Sequence, residues 1–154
     1  MKKYIFILLI ILCGILFFIG ITHSPEGVLF NLKKQIDVKA KLVYKTGQES
    51  KITFVFPDKD AILVISPPYE NVSKVKNNIL NKALLEQIQN FVNHQESGHI
   101  FYIKEGQLIE HRLLSGLLYP IFGTGTKQEI TFSLTRQSTS GRPIRLEILE
   151  SSGL

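Results

Sequence analysis

One continuous hydrophobic run precedes a longer part of the chain in which apolar and polar residues are mixed. The run covers Tyr4–Ile21, follows Lys2 and Lys3, and contains no charged side chain. About 18 apolar residues are enough to cross the hydrocarbon core of a bilayer as a helix. Lysines before the run, and none again until Lys33, favour a cytoplasmic N-terminus. The pattern predicts a single-pass transmembrane helix, with the remaining chain on the extracytoplasmic side (periplasm or cell surface).

The length of the run and the residues after it indicate whether it is retained or cleaved. The hydrophobic regions of signal peptides are about 7–15 residues long and end near small residues. The best such site here is Gly20–Thr22, where threonine is a poor final residue. We therefore expect an uncleaved signal-anchor over residues 1–22, a spacer over residues 23–34 and an extracytoplasmic domain over residues 35–154. A cleaved signal peptide is the alternative.

The first part of the extracytoplasmic domain alternates apolar and polar side chains. Apolar residues occupy every second position in residues 36–44 and again in 52–56, on either side of Gly47. A period of two is typical of a strand with one face in water, so these segments are predicted to form a hairpin. The next apolar stretch, residues 61–65, does not alternate, which predicts a central strand covered on both faces.

One segment has helical periodicity. Leu80, Leu84, Ile88 and Phe91 recur at steps of three and four residues, with polar residues on the opposite side. The spacing predicts an amphipathic helix whose apolar stripe packs on the sheet that contains residues 61–65.

Two further hairpins are predicted toward the C-terminus. One joins strands over residues 100–104 and 107–113 through a three-residue loop ending at Gly106, a register that places His99 opposite His111. The other pairs two sets of alternating apolar residues: Ile130, Phe132 and Leu134 with Ile144, Leu146 and Ile148.

The order of these elements predicts the fold class. It is α+β, with an antiparallel sheet of about six to seven strands and one main helix packed on one face, preceded by the transmembrane helix. The single cysteine, Cys13, lies within the apolar run, so we expect no disulfide in the extracytoplasmic domain. Its core alone must stabilise it.

The charge of the chain is positive but does not indicate nucleic-acid binding. The net charge is +5, and only four of the eighteen cationic residues are arginine, the side chain best suited to reading bases. Six of the lysines fall within Lys33–Lys51, and Lys39, Lys41 and Lys45 are candidate contact residues. Anionic head groups attract such clusters near a membrane. The alternative is an ordinary solvated edge strand, where lysine prevents aggregation.

A second candidate contact surface lies in Leu113–Phe122, which is rich in large apolar residues. Packing inward, over the face of the sheet that the helix leaves open, is one interpretation. The other is a partly exposed patch for a protein or the membrane. The candidate contact residues are Leu117, Leu118, Tyr119 and Phe122.

Candidate chemistry is sparse. His99 and His111, approached by His94, have residue types that zinc accepts, but no carboxylate that would orient them is evident. We therefore expect two structural, half-buried imidazoles and no metal. No nucleophile, base and orienting group come together in the sequence, so neither catalytic residues nor a cofactor site is predicted.

Compartment and composition together limit the function. The sequence combines a predicted membrane anchor with a domain in which no catalytic constellation is evident. We therefore predict a membrane-anchored cell-envelope protein whose extracytoplasmic domain is a non-catalytic protein-interaction or assembly module. The first alternative is a secreted-side inhibitor or immunity-type protein that binds one effector. The second is an enzyme of unknown type.

Overall fold

The computed structural model of the protein describes residues 25–74, 80–137 and 143–149. The apolar run Tyr4–Ile21 lies outside these residues, and so does its prediction as a transmembrane helix. Within the described ranges, no helix has the length and apolar character needed to span a membrane.

The domain begins with a long helix, α1 (Pro25–Thr46), where the sequence predicts a spacer and the first strand of a hairpin. The hairpin prediction over residues 36–56 is therefore wrong in its first half, and the spacer prediction does not match the helical residues 25–34. Five lysines and three leucines, both strong helix formers, lie among its 22 residues. Pro25 suits the first helical position, since its missing N–H would have no partner there. The helix ends at Gly47, whose φ of 71° and N–H···O bond to Val43 (2.8 Å) form a left-handed cap.

Eight strands form two four-stranded sheets in the described part of the chain. Sheet 1 has the order β1-β7-β8-β5, and its only parallel pair is β5 with β8. Sheet 2 has the order β4-β3-β2-β6 and is antiparallel throughout. The strands are β1 (Ser50–Val55), β2 (Ile62–Ser66), β3 (His99–Lys104), β4 (Gln107–Leu113), β5 (Leu118–Pro120), β6 (Gly123–Gly125), β7 (Glu129–Arg136) and β8 (Ile144–Leu149).

Helix α1 contributes to the larger of two hydrophobic cores, and this core joins both sheets. Its buried stripe includes Leu32 and Ile36, which pack in one cluster with Phe132 of sheet 1 and with Leu63 and Ile100 of sheet 2. The stripe follows the helical spacing of three and four residues, which places it along one side of the helix. One helix thus supplies the apolar layer that both sheets need.

A second helix, α2 (Lys82–Asn93), covers the other face of sheet 2. Asn81 caps it by accepting a hydrogen bond from the Leu84 amide at 2.9 Å. A short 3₁₀ turn (Val72–Lys74) precedes it in the chain. The predicted apolar stripe is buried at Leu84 and Ile88, whereas Phe91 remains partly exposed.

The α+β class is confirmed, but the number of sheets and helices in the domain differs from the prediction. Two sheets and two helices replace the expected single sheet with one main helix. Strand β2 is interior and covered on both faces, as predicted, because Leu63 faces the α1 core and Val64 the α2 core. The last hairpin also has the predicted partners, with Phe132 opposite Ile148.

The hairpin of β3 and β4 differs from the prediction by its turn and by a bulge. Its turn has two residues, Glu105 (φ 51°) and Gly106 (φ 72°), which are the angles of a type I′ turn. A register shift follows, which leaves Ile109 without a partner. The predicted pairing of the two histidines is therefore wrong, since His99 lies opposite Leu113 and His111 opposite Phe101.

Gly98 is a position where the fold requires the absence of a side chain. A Cβ atom there would lie 2.5 Å from Cγ and 2.7 Å from Cδ of Pro120, whose ring cannot rotate away. We expect Gly98→Ala to lower the free energy of unfolding by about 1–3 kcal/mol through overpacking. Urea denaturation followed by circular dichroism measures this loss. Gly116→Ala is the matched control, because no atom lies within 4 Å of its added Cβ. Equal losses in the two variants would contradict the packing explanation.

Candidate interaction surface

Helix α1 exposes large apolar side chains on the side opposite its buried stripe. Phe30 is 58% exposed, Val38 61% and Leu42 49%. At 100° per residue these positions lie away from Ile36, on the same side as Lys34, Lys41 and Lys45. We call this surface the α1 outer face; it consists of Phe30, Lys34, Val38, Lys41, Leu42 and Lys45. A helix face with several exposed apolar residues is typical of a surface that contacts another molecule.

The charge on this side of α1 is not cancelled by the helix itself. Its one carboxylate within the predicted basic cluster, Asp37, is paired with Lys33. Lys34, Lys39 and Lys51 have no ion-pair partner among the described residues. The surface therefore combines apolar area with uncompensated positive charge.

A groove of about 400 Å³ runs between α1 and β1. We call it the α1–β1 groove. Val38 and Ile52 give it an apolar surface, and lysines from both elements surround them. Its lining consists of Lys34, Gln35, Val38, Lys39, Lys51, Ile52 and Thr53.

The candidate contact lysines are exposed but belong to a helix. Lys39, Lys41 and Lys45 all lie on the solvent side of α1, and Lys39 also lines the α1–β1 groove. Sequence reasoning identified their exposure correctly and assigned them to the wrong element. It missed the exposed apolar residues beside them, which the alternating pattern had placed in the core.

The candidate residues of Leu113–Phe122 are divided between core and surface. Leu118 is fully buried in the α1 core, and Phe122 packs partly buried against the α2 core. Leu117 is half-buried, and Tyr119 is 38% exposed. Of the four, only Tyr119 is classed as exposed to solvent.

His99 and His111 form a close pair in which His99 is fully buried and His111 half-buried. His99 Nδ1 lies 3.0 Å from His111 Nε2, although the residues are not directly opposite, because diagonal neighbours on one sheet face are within reach. The His111 ring stacks on Phe101 at 4.7 Å and lies 4.5 Å from the ring of Phe91. His94 has a different partner: its Nδ1 lies 2.6 Å from the Asn90 carbonyl oxygen at the end of α2.

Burial favours the neutral form of both imidazoles. It lowers the pKa of His99 to about 4, helped by the nearby His111 and opposed by the Gln95 backbone. Burial and the Arg112 charge also lower the pKa of His111. A neutral pair can share one hydrogen bond, with one ring donating and the other accepting. The described residues contain no group of three or more histidine, cysteine or acidic side chains placed to hold a metal.

Two long-range polar contacts hold the framework around the surface. The buried Glu110 accepts a hydrogen bond from the Leu29 amide at 3.0 Å and one from Arg112 at 2.7 Å, which fixes the start of α1 to β4. Asp58 accepts from the Tyr102 hydroxyl and from Lys104, each at 2.9 Å, and these bonds lower the pKa of its carboxyl. No local sequence signal predicts the bond from Leu29 to Glu110 or the bond from Tyr102 to Asp58, because the partners are 81 and 44 residues apart in the chain.

Comparison of the chain with protein-family models, with curated protein sequences and with solved structures found no match.

Proposed function

We propose that the protein is a membrane-anchored, non-catalytic interaction module of the cell envelope, with its N-terminus in the cytoplasm and its α+β domain outside. The observation that supports this most is the α1 outer face, where Phe30, Val38 and Leu42 are 49–61% exposed among lysines. Burial of such residues against a partner is favourable, since exposed apolar area gains free energy when it leaves water.

The position of this face relative to the apolar run supports a partner at the membrane. Only residues 22–24 separate Ile21 from the first residue of α1. Three residues span at most about 10 Å, so an anchor over Tyr4–Ile21 would keep the start of α1 next to the bilayer. Tethering raises the effective concentration of the domain near membrane partners, so moderate contacts on α1 suffice for association.

In vivo photo-crosslinking tests the proposal. A photoreactive residue replacing Lys41 should capture a subunit of a membrane complex, and a second one replacing Tyr119 tests the other predicted surface. The same residue at Lys82, whose side chain is 92% exposed on α2, is the control and should not capture that subunit. Val38→Asp should abolish capture from position 41, because it places a charge within the contact.

Several outcomes would contradict the proposal. Capture of one soluble toxin or hydrolase would favour the inhibitor alternative. Equal capture from positions 41 and 82 would show that the α1 outer face has no special role. A mature N-terminus near His23 would rule out the anchor.

A further inference from the structure

Strand β1 is the terminal strand of sheet 1. Its six residues, Ser50–Val55, pair with β7 on one side. In the described part of the chain no other strand pairs with it. The unused backbone donors and acceptors of a terminal strand are a template on which another extended chain can pair.

The side of β1 that lies next to α1 also carries charge and apolar area suited to recognition. The lining of the α1–β1 groove includes three lysines, from α1 and from β1, and no acidic residue. Val38 is 61% exposed there, and Ile52 lies beside it. The edge of β1 next to α1 therefore offers a ligand three features: backbone hydrogen-bonding groups, an apolar contact and positive charge.

We propose, on the basis of the function proposed above, that the α1–β1 groove binds an extended acidic segment of a partner protein as an added strand beside β1. Main-chain hydrogen bonds to β1 supply affinity in this mode of recognition, and alternate side chains supply specificity. Apolar side chains of the segment contact Val38, and its carboxylates pair with Lys34, Lys39 and Lys51.

Charge decides against a second copy of the chain as the occupant. Pairing of β1 with its counterpart in another copy would bring two lysine-lined grooves together, and like charges at such an interface are unfavourable. A bilayer surface satisfies the lysines but leaves the backbone groups of β1 without a partner strand. An acidic extended peptide satisfies all three features of the groove.

Fluorescence anisotropy with a labelled synthetic peptide tests this inference. The peptide has about eight residues, enough to span β1, and alternates glutamate with valine. The protein is the full chain in nanodiscs of uncharged phosphatidylcholine. The peptide should bind saturably. Methylation of alternate peptide nitrogens should weaken binding about tenfold or more, because it removes main-chain donors.

Charge reversal locates the site. The double variant Lys39→Glu, Lys51→Glu should weaken peptide binding about tenfold or more, since each of its two substitutions removes an ion pair with the peptide and adds repulsion. Lys59→Glu with Lys82→Glu is the matched control, because it changes the net charge equally outside the groove lining. Circular dichroism of both variants establishes that they fold. The control should bind as the unchanged protein does.

Three results would overturn the inference. The first is equal weakening of peptide binding in the groove variant and the control variant, which would indicate nonspecific electrostatic attraction. The second is equal binding of the methylated peptide, which would exclude strand addition. The third is the absence of saturable peptide binding; binding of phosphatidylserine vesicles through Lys39 and Lys51 would then assign the groove to lipid. Capture of a membrane subunit from position 41 would in each case leave the proposed function standing, so the two failures are distinguishable.

Discussion

Replacing Ile36 with alanine should lower the free energy of unfolding by about 2–5 kcal/mol, because its side chain is fully buried between the two sheets. Replacing Val38, only two residues away, should change it by less than about 0.5 kcal/mol, because that side chain is 61% exposed. In a strand the two residues would share a face and behave alike. In α1 they lie about 200° apart around the helix axis.

Urea denaturation of both variants, followed by far-ultraviolet circular dichroism, measures the difference. Domains of this kind have a total stability of about 5–15 kcal/mol, so loss of the Ile36 side chain would be a large fraction of it. Similar losses at Ile36 and Val38 would contradict the helical assignment. A loss at Val38 alone would place the opposite side of the segment in the core.

The same pair of residues explains why the sequence misleads in this segment. Residues four apart share a face both in a strand with a period of two and in a helix with a period of 3.6. Ile36, Ala40 and Tyr44 therefore satisfy either pattern. Only the intervening apolar residues discriminate, and those at Val38 and Leu42 are exposed where a strand would bury them. Helix propensity and a cap at Gly47 were the better signals.

Elements with a complete and unambiguous pattern could be predicted. Residues 61–65 are apolar on both faces, and the structure covers them on both. The stripe through Leu84 and Ile88 belongs to an amphipathic helix, and the step of three residues from Ile88 to Phe91 has no strand equivalent. The partners of Phe132 in the last hairpin follow from alternation on both strands.

The α1–β1 groove could not be predicted, because it depends on a long-range pairing. Ile52 lies opposite Phe132, a residue eighty positions away, and this pairing makes β1 the end of its sheet. A hairpin over residues 36–56 would instead have paired β1 with the preceding segment and closed its free edge. The lysines were recognisable from the sequence, whereas the surface that they form was not.

Acidification should destabilise the protein through the buried His99 and its half-buried neighbour His111. The pKa of His99 is about 4 in the folded protein, below the usual 6.5 of an unfolded chain. Between these values the unfolded state binds more protons, so stability falls as the pH falls through this window. The loss from His99 should reach about 2 kcal/mol at pH 5 and about 3 kcal/mol when the window has been crossed.

The groups around His99 and His111 favour a lowered pKa of both imidazoles. The aromatic rings of Phe91 and Phe101 exclude water, and Arg112 adds a positive charge near His111. Asp58 also has a lowered pKa, because it accepts hydrogen bonds from Lys104 and Tyr102, and an aspartate with an ordinary or lowered pKa is already ionised above about pH 5. The interval from about pH 7 to pH 5 therefore isolates the histidines from the carboxylate.

Urea denaturation at several pH values in this interval, on the unchanged protein and on His99→Gln, measures the effect. The variant will be less stable at neutral pH, since glutamine does not reproduce the stacked ring, but its stability should depend less on pH. The difference in slope, and not the difference in stability, reports the titration of His99. Parallel slopes, or an imidazole resonance of His99 that titrates near 6.5, would contradict the prediction. A smaller slope in the variant would show that the pair of His99 and His111 makes the α2 side of sheet 2 sensitive to acid.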